Sequence, residues 1–446
     1  MKKRNLLYII PLILLAACKP NIDEFAPSKG NADFSSYIAV GDSWTSGFAD
    51  ASLYKSGQEN SYANILAGQF AVVGGGTFKQ PLMVDDIGFG LSTGVPLPKM
   101  VMGYRVDCKD ATSLSPIYAG VPVDQANFAS IAEGGPYNNI GLPGLKSIYM
   151  GVVGMASLHP YYKRFAPSPA ATIIGEIPRV NAGFFTLWLG SYDILGYAIG
   201  GGNDPANPIT PVAQFAGSTQ ATIAALTANG AKGAVASIPD VTDAAFFHTI
   251  PYNVLALDQA TADLLNGAYA GLNQIIKGAG STDTLLFVAG PNPIVIRDAI
   301  LPWGMRQIKS TELVLLSLPQ DSLKCAGWGS QKPVPVQYIL DETEIAGILQ
   351  ATADYNAQIE QLISGTDIAL VDMYSIMKEM NSGLEFDNVS ISPKFVTGNF
   401  YSTDGLNPSF RGSAVIAYYF IAAINAKFEA KIPQVIVSDY LGVTLP

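Results

Sequence analysis

The chain reads as an α/β protein built on a mostly parallel sheet with helices over both faces. Two observations carry this reading. Short apolar runs recur along the chain, and each ends in a turn and is followed by a helix-like stretch. Hydrophobic residues make up 49% of the chain and charged residues 14%, enough apolar surface to bury such strands on both sides.

The first run, residues 37–40, enters the turn Gly41-Asp42-Ser43. Residues 184–189 enter Gly190-Ser191-Tyr192-Asp193, and Phe184, Phe185, Trp188 and Tyr192 fit a buried strand better than a ligand platform. A helix-like stretch over 212–228 leads into the run 232–238 and the turn Pro239-Asp240. Residues 284–288 precede Gly290-Pro291-Asn292-Pro293, and residues 368–371 follow a long helical pattern over 341–363. The uncharged stretch 412–426 makes about four helical turns, against the roughly 20 residues a membrane span needs, so it reads as a buried core helix. Parallel sheets collect functional groups at the C-terminal ends of their strands. Ser43, Asp193 and the loop beyond Asp240 are therefore expected on one edge. Residues 35–446 read as one domain, with insertions rich in Gly and Pro near 73–137 and 291–340.

The start of the chain carries an address. Lys2, Lys3 and Arg4 precede an apolar stretch over 6–15, and Leu15-Ala16-Ala17-Cys18 follows. That arrangement resembles the signal peptide and lipobox of bacterial lipoproteins, which implies cleavage after residue 17 and acylation of Cys18. Several acyl chains on one cysteine would anchor the protein firmly to a membrane. Lys19, rather than an aspartate, follows the cysteine and points to the outer membrane. Residues 18–34, polar with Pro and Gly, are expected as a tether. The formal charge of −10 argues against nucleic acid as a partner. With Cys18 acylated, Cys108 and Cys325 remain, either as one disulfide across the two insertions or as two buried thiols. Neither has Cys or His neighbours at metal-ligand spacing, so no metal site is expected.

Strand, sharp turn, serine, helix is a way to expose a hydroxyl where backbone N–H groups can hold an oxyanion. Gly41-Asp42-Ser43 has that form, although Ser43 alone could be an N-cap. Asp42 and Asp193 are expected to cap helices or brace loops. Three further segments accompany it: Asn139-Ile140-Gly141-Leu142-Pro143-Gly144, Gly190-Ser191-Tyr192-Asp193 and Asp404-Gly405-Leu406-Asn407.

Together these four segments resemble the SGNH, or GDSL, hydrolase superfamily over nearly the whole chain beyond the leader, and in particular bacterial lipoproteins of lipase or acylhydrolase type. The resemblance implies a three-layer α/β/α, flavodoxin-like domain that cleaves carboxylic esters through an acyl-serine, with no metal or organic cofactor. It implies Ser43 as nucleophile and Gly144 as an oxyanion donor. Tyr192 stands where the family has an asparagine donor, and Asn407 stands where the family has the histidine that Asp404 would orient. A carboxamide does not titrate near neutral pH and cannot take the serine proton. The expectation is an impaired or lost esterase acting on acyl lipids or acylated glycans. The alternative is a non-catalytic lipoprotein that keeps the cleft for an acyl or glycan ligand. Two histidines are present. His248 follows the loop from Pro239 and is the candidate substitute base, against a simpler reading as a loop residue. His159 is expected to have no relation to the active edge.

Overall fold

A computed structural model of the chain describes residues 25–92 and 94–446. The leader over 1–17, Cys18 and the first part of the tether lie outside the described residues. Among the described residues no helix is long and apolar enough to cross a membrane.

Five parallel strands form the central sheet: β1 (Tyr37–Gly41), β2 (Asn139–Gly141), β3 (Phe184–Trp188), β4 (Lys232–Ala236) and β5 (Ile368–Val371). Their order across the sheet is 2-1-3-4-5, one of the two common doubly wound orders. The chain steps from β1 to one side and then returns past it to the other. With right-handed crossovers, that reversal puts the connecting helices on opposite faces. Helix α2 (Tyr62–Val72) packs with the C-terminal helix α8 (Phe410–Phe428) on one face. Helices α4 (Val212–Thr227) and α7 (Glu342–Ile363) pack together on the other, where Phe215 stacks on Tyr355 at 4.1 Å. Every residue of β1 and β3 is buried, as strands covered on both sides require.

Register sets the functional edge. Gly41 lies opposite Gly141 on one side and Trp188 on the other. The chain therefore leaves three neighbouring strands at one level, and the short helices α1 (Ser43–Ser46) and α3 (Ser191–Ile199) start there. Gly141 permits this closeness, because a Cβ at that position would lie 2.3 Å from the Ser46 backbone nitrogen in α1.

Trp188 fills the floor under this edge. Its ring is 1% exposed and meets Trp44 at 4.9 Å and Tyr62 at 5.8 Å, and its Nε1 is buried without a hydrogen-bond partner among the described residues. Trp188→Ala is expected to cost about 3–5 kcal/mol, the usual range for emptying an aromatic site. Trp188→Phe, which deletes the unpartnered N–H, should cost less than about half of that. Urea unfolding midpoints would check both; equal losses in the two variants would contradict the packing argument.

Three expectations change. Residues 28–34 belong to the folded body rather than to a tether: Ser28 pairs with Lys431, the Asn31 N–H bonds the Phe428 carbonyl at 2.8 Å, and Phe34 is buried against Phe70. Phe34 is an isolated aromatic in a polar stretch, which composition reads as linker. Residues 284–288 are not a sheet strand. Leu285 and Phe287 turn into a separate apolar cluster under helix α6 (Gln259–Gly278), while Leu286 and Val288 stay exposed. The side chains of Asn273 and Asn266 on α6 bond the N–H and C=O of Leu285 and Phe287. Alternating burial was present, but its partner is a helix, which periodicity cannot distinguish. Finally, the second insertion includes α6 and its own apolar clusters, so it starts near residue 250 rather than 291.

The two insertions are joined. Cys108 and Cys325 form a disulfide with Cα atoms 6.4 Å apart. It ties the hairpin Met100–Val106/Thr112–Tyr118 to the short helix Gln320–Cys325. Lys324 pairs with Asp107 at 2.8 Å and Arg105 pairs with Asp321 across the same seam.

Candidate functional site

Four loops meet at the C-terminal edge between β1 and β3, where the strand order reverses and open sheets bind ligands. Asp42, not Ser43, is the N-cap of α1; its Oδ1 accepts the Trp44 N–H at 3.3 Å. This leaves the Ser43 hydroxyl free to face outward, and its Oγ accepts the Gly144 N–H at 3.1 Å. Gly144 has φ +76°, a conformation that favours glycine. A Cβ on Gly144 would lie 3.5 Å from Tyr192 Cζ and 3.8 Å from its hydroxyl. The Tyr192 hydroxyl thus sits beside the Gly144 donor and makes no hydrogen bond among the described residues.

The loop after β2 is held from below. Asp193 accepts the Ser147 N–H and hydroxyl, both at 2.7 Å, which fits its expected role as a brace. The Asn139 side chain donates to the Thr45 carbonyl at 3.0 Å and accepts the Gly141 N–H at 2.9 Å, tying α1 to β2.

Asp404 is partly buried and accepts four hydrogen bonds. Oδ1 takes the Leu406 and Asn407 N–H groups, both at 2.8 Å; Oδ2 takes the Ala51 N–H and the Asn407 Nδ2, both at 2.9 Å. Burial raises its pKa, and the Asn407 and Ala51 donors act in the opposite direction. Asn407 is nearly buried and presents to Asp404 the nitrogen that an imidazole Nδ1 would present at the same point of the side chain. Asn407 and Ser43 share no hydrogen bond among the described residues.

Asp50 and Ala51 were not found from sequence. Both have positive φ, +53° and +58°. That turn aims the Ala51 N–H at Asp404, while Asp50 accepts the Thr403 N–H at 3.0 Å and hydroxyl at 2.7 Å. Non-glycine residues hold such conformations only when their surroundings over-determine them. An Asp with positive φ carries no readable sequence signal, and its partner is 353 positions away.

Neither histidine hydrogen-bonds Ser43 among the described residues. His248, at the end of α5 (Ala245–His248), is exposed and lines a separate cavity of about 480 Å³ with Asp243 and Lys394. His248→Ala is expected to leave any ester hydrolysis within about twofold of wild type, the scatter of an exposed site; a loss matching that of Ser43→Ala would make His248 the base. His159 corrects its expectation: it lies against the active edge. Its Nε2 donates to the Pro143 carbonyl at 3.0 Å, next to Gly144, and its Nδ1 accepts the Tyr162 N–H at 3.3 Å. Burial pushes its pKa down to about 4, so the ring stays neutral with both nitrogens occupied. It braces the donor loop.

The carboxyl of Asp42 is the unusual charge. Burial pushes it up to about 7, against the Trp44 N–H, with Asp193 adding to the rise. Its Oδ2 has no hydrogen-bond partner among the described residues, although the nearby Tyr192 N–H and Ser191 hydroxyl hold the pKa down slightly. Beside Trp44 and Leu406 lies an apolar recess of about 30 Å³, also lined by Tyr401 and Ala244. That volume is about the share of one water in the liquid. Among the described residues no group of His, Cys, Asp and Glu could hold a metal.

No family model matches the chain, and no curated protein matches it. The site offers an outward serine on a backbone donor, a tyrosine hydroxyl beside it, and a partly buried carboxylate holding an amide. Such a site can bind a carbonyl oxygen or a carboxylate. Among the described residues no titratable group bonds Ser43 to take its proton.

Proposed function

We propose that the chain is an SGNH/GDSL-type envelope lipoprotein with a flavodoxin-like three-layer domain and a carboxylic-ester site, in which loss of the general base has abolished or severely impaired hydrolysis. The Asn407–Asp404 hydrogen bond carries this reading, because it keeps the orienting half of a triad while an amide occupies the base position. Gly144 and Tyr192 supply the oxyanion donors. The Ser43–Gly144 contact supports a retained nucleophile position. Acylation of Cys18 would anchor the protein at the outer membrane, with an acyl ester or acylated glycan as ligand.

Removing the histidine from a comparable triad costs about 10⁶ in turnover, with a residue of catalysis left by the oxyanion donors. The full chain, purified in detergent, should therefore hydrolyse p-nitrophenyl acetate little faster than Ser43→Ala does. A wild-type rate thousands of times above Ser43→Ala would mean another group activates the serine, and the proposal would fail.

A further inference from the structure

The largest cavity described lies between the two insertions, and Ser43 is not among its lining residues. It is an open groove of about 780 Å³, and five consecutive residues, 254–258, line it. Five in a row cannot all point one face of a strand at a groove, since side chains alternate. What the groove meets is a strand edge.

The pairing shows which groups that edge offers. Leu255–Leu257 pairs antiparallel with Gly290–Asn292, and Ala256 lies opposite Pro291. Proline has no N–H, so this pair cannot exchange two hydrogen bonds. Alternation along an antiparallel ladder then makes Leu255–Asn292 and Leu257–Gly290 the bonded pairs. The Ala256 N–H and C=O must point away from the partner strand, and Ala256 is exposed. Neither the Val254 carbonyl nor the Asp258 N–H, which project to the same side, has a hydrogen-bond partner among the described residues. Among the described residues no third strand pairs with this edge.

Charge selects the occupant. Lys109, Lys324 and Lys332 line the groove of a protein whose formal charge is −10. Lys109 and Lys332 form no ion pair among the described residues, while Lys324 is paired with Asp107. The one carboxylate lining the groove, Asp258, is committed to capping α6, accepting the Thr261 N–H at 2.7 Å. Lys109 reaches the groove from the first insertion because the Cys108–Cys325 disulfide holds that hairpin in place.

We propose that this groove binds an extended acidic segment of a partner protein, added as a third strand to the Leu255–Leu257/Gly290–Asn292 hairpin. Main-chain bonds to Val254, Ala256 and Asp258 supply the affinity common to strand addition, and the lysines select acidic side chains.

The test is fluorescence anisotropy on the full chain with a labelled peptide of alternating Glu and Val. Lys332→Glu and Lys109→Glu should each weaken binding about tenfold. Ala256→Pro removes the outward N–H without touching a ladder bond and should weaken it about as much. On the wild-type protein, a peptide methylated on alternate backbone nitrogens should bind at least about tenfold more weakly, which keeps the test informative even if Ala256→Pro fails to fold. The proposal is overturned if the Glu/Val peptide does not bind, if its Lys/Val counterpart binds equally well, or if backbone methylation has no effect. It is also overturned if oligogalacturonate displaces the peptide and is itself insensitive to Ala256→Pro, which would make the groove a simple anion site for acidic glycans.

Discussion

Asn407→His is expected to raise ester hydrolysis by about 10³-fold or more over wild type, the scale set by losing a triad histidine. The geometry favours gain rather than disruption. Asn407 Nδ2 already donates to Asp404 Oδ2 at 2.9 Å, and an imidazole Nδ1–H branches from the same Cγ. Asp404 would then fix the tautomer with Nε2 free toward Ser43. The rate should rise with pH as the imidazole deprotonates, with a midpoint near its ordinary value of about 6.5. The gain should vanish when Ser43→Ala is added and be almost wholly lost when Asp404→Asn is added, because the wrong tautomer results. Rates with p-nitrophenyl acetate across pH 5–9 (roughly the range over which imidazole titrates) would decide it. A gain that survives Ser43→Ala would show the new histidine acting alone, against a preserved serine site.

Asp42→Asn should stabilise the protein relative to wild type at neutral pH and lose that advantage in acid. The folded carboxyl is raised from its ordinary 3.8 to about 7, chiefly by burial. Below the lower value it is protonated in both folded and unfolded chains and imposes no penalty. Between the two, the unfolded chain ionises while the folded one does not, so wild-type stability falls as pH rises. At 1.36 kcal/mol per unit the loss reaches on the order of 4 kcal/mol by neutral pH. Asparagine keeps an acceptor for the Trp44 N–H but cannot ionise. The amide adds an offset of its own that does not vary with pH. Urea midpoints of the two proteins should therefore diverge steadily between about pH 4 and 7; a constant difference across that range would refute the assignment of the charge penalty to Asp42.

Much of the sheet was readable. Four of its five strands, over 37–41, 184–188, 232–236 and 368–371, are apolar runs that end at turns, and burial on both faces leaves such runs no polar alternation to obscure them. The missed strand, Asn139–Gly141, is three residues long on the sheet edge, too short for any period to register. The run over 284–288 failed for the opposite reason: its alternation was real, but Asn266 and Asn273 supply its hydrogen bonds instead of a neighbouring strand. His159 was misjudged because its neighbour in space, Pro143, is brought to it by a fold-back that no local pattern encodes.

The sequence by itself determined which residues stand in the loops that could carry chemistry, Ser43, Gly144, Tyr192, Asp404 and Asn407, and that an amide rather than an imidazole stands three positions after Asp404. These are matters of covalent identity and local turn preference, which the chain states directly. Only the tertiary structure decided how they meet: the 2-1-3-4-5 strand order that brings three loops to one edge, the left-handed turn at Asp50 and Ala51 that secures Asp404, and the disulfide that joins two insertions into a groove. Those contacts join residues tens to hundreds of positions apart. Their free energy comes from burial and pairing that exist only once the chain has closed on itself.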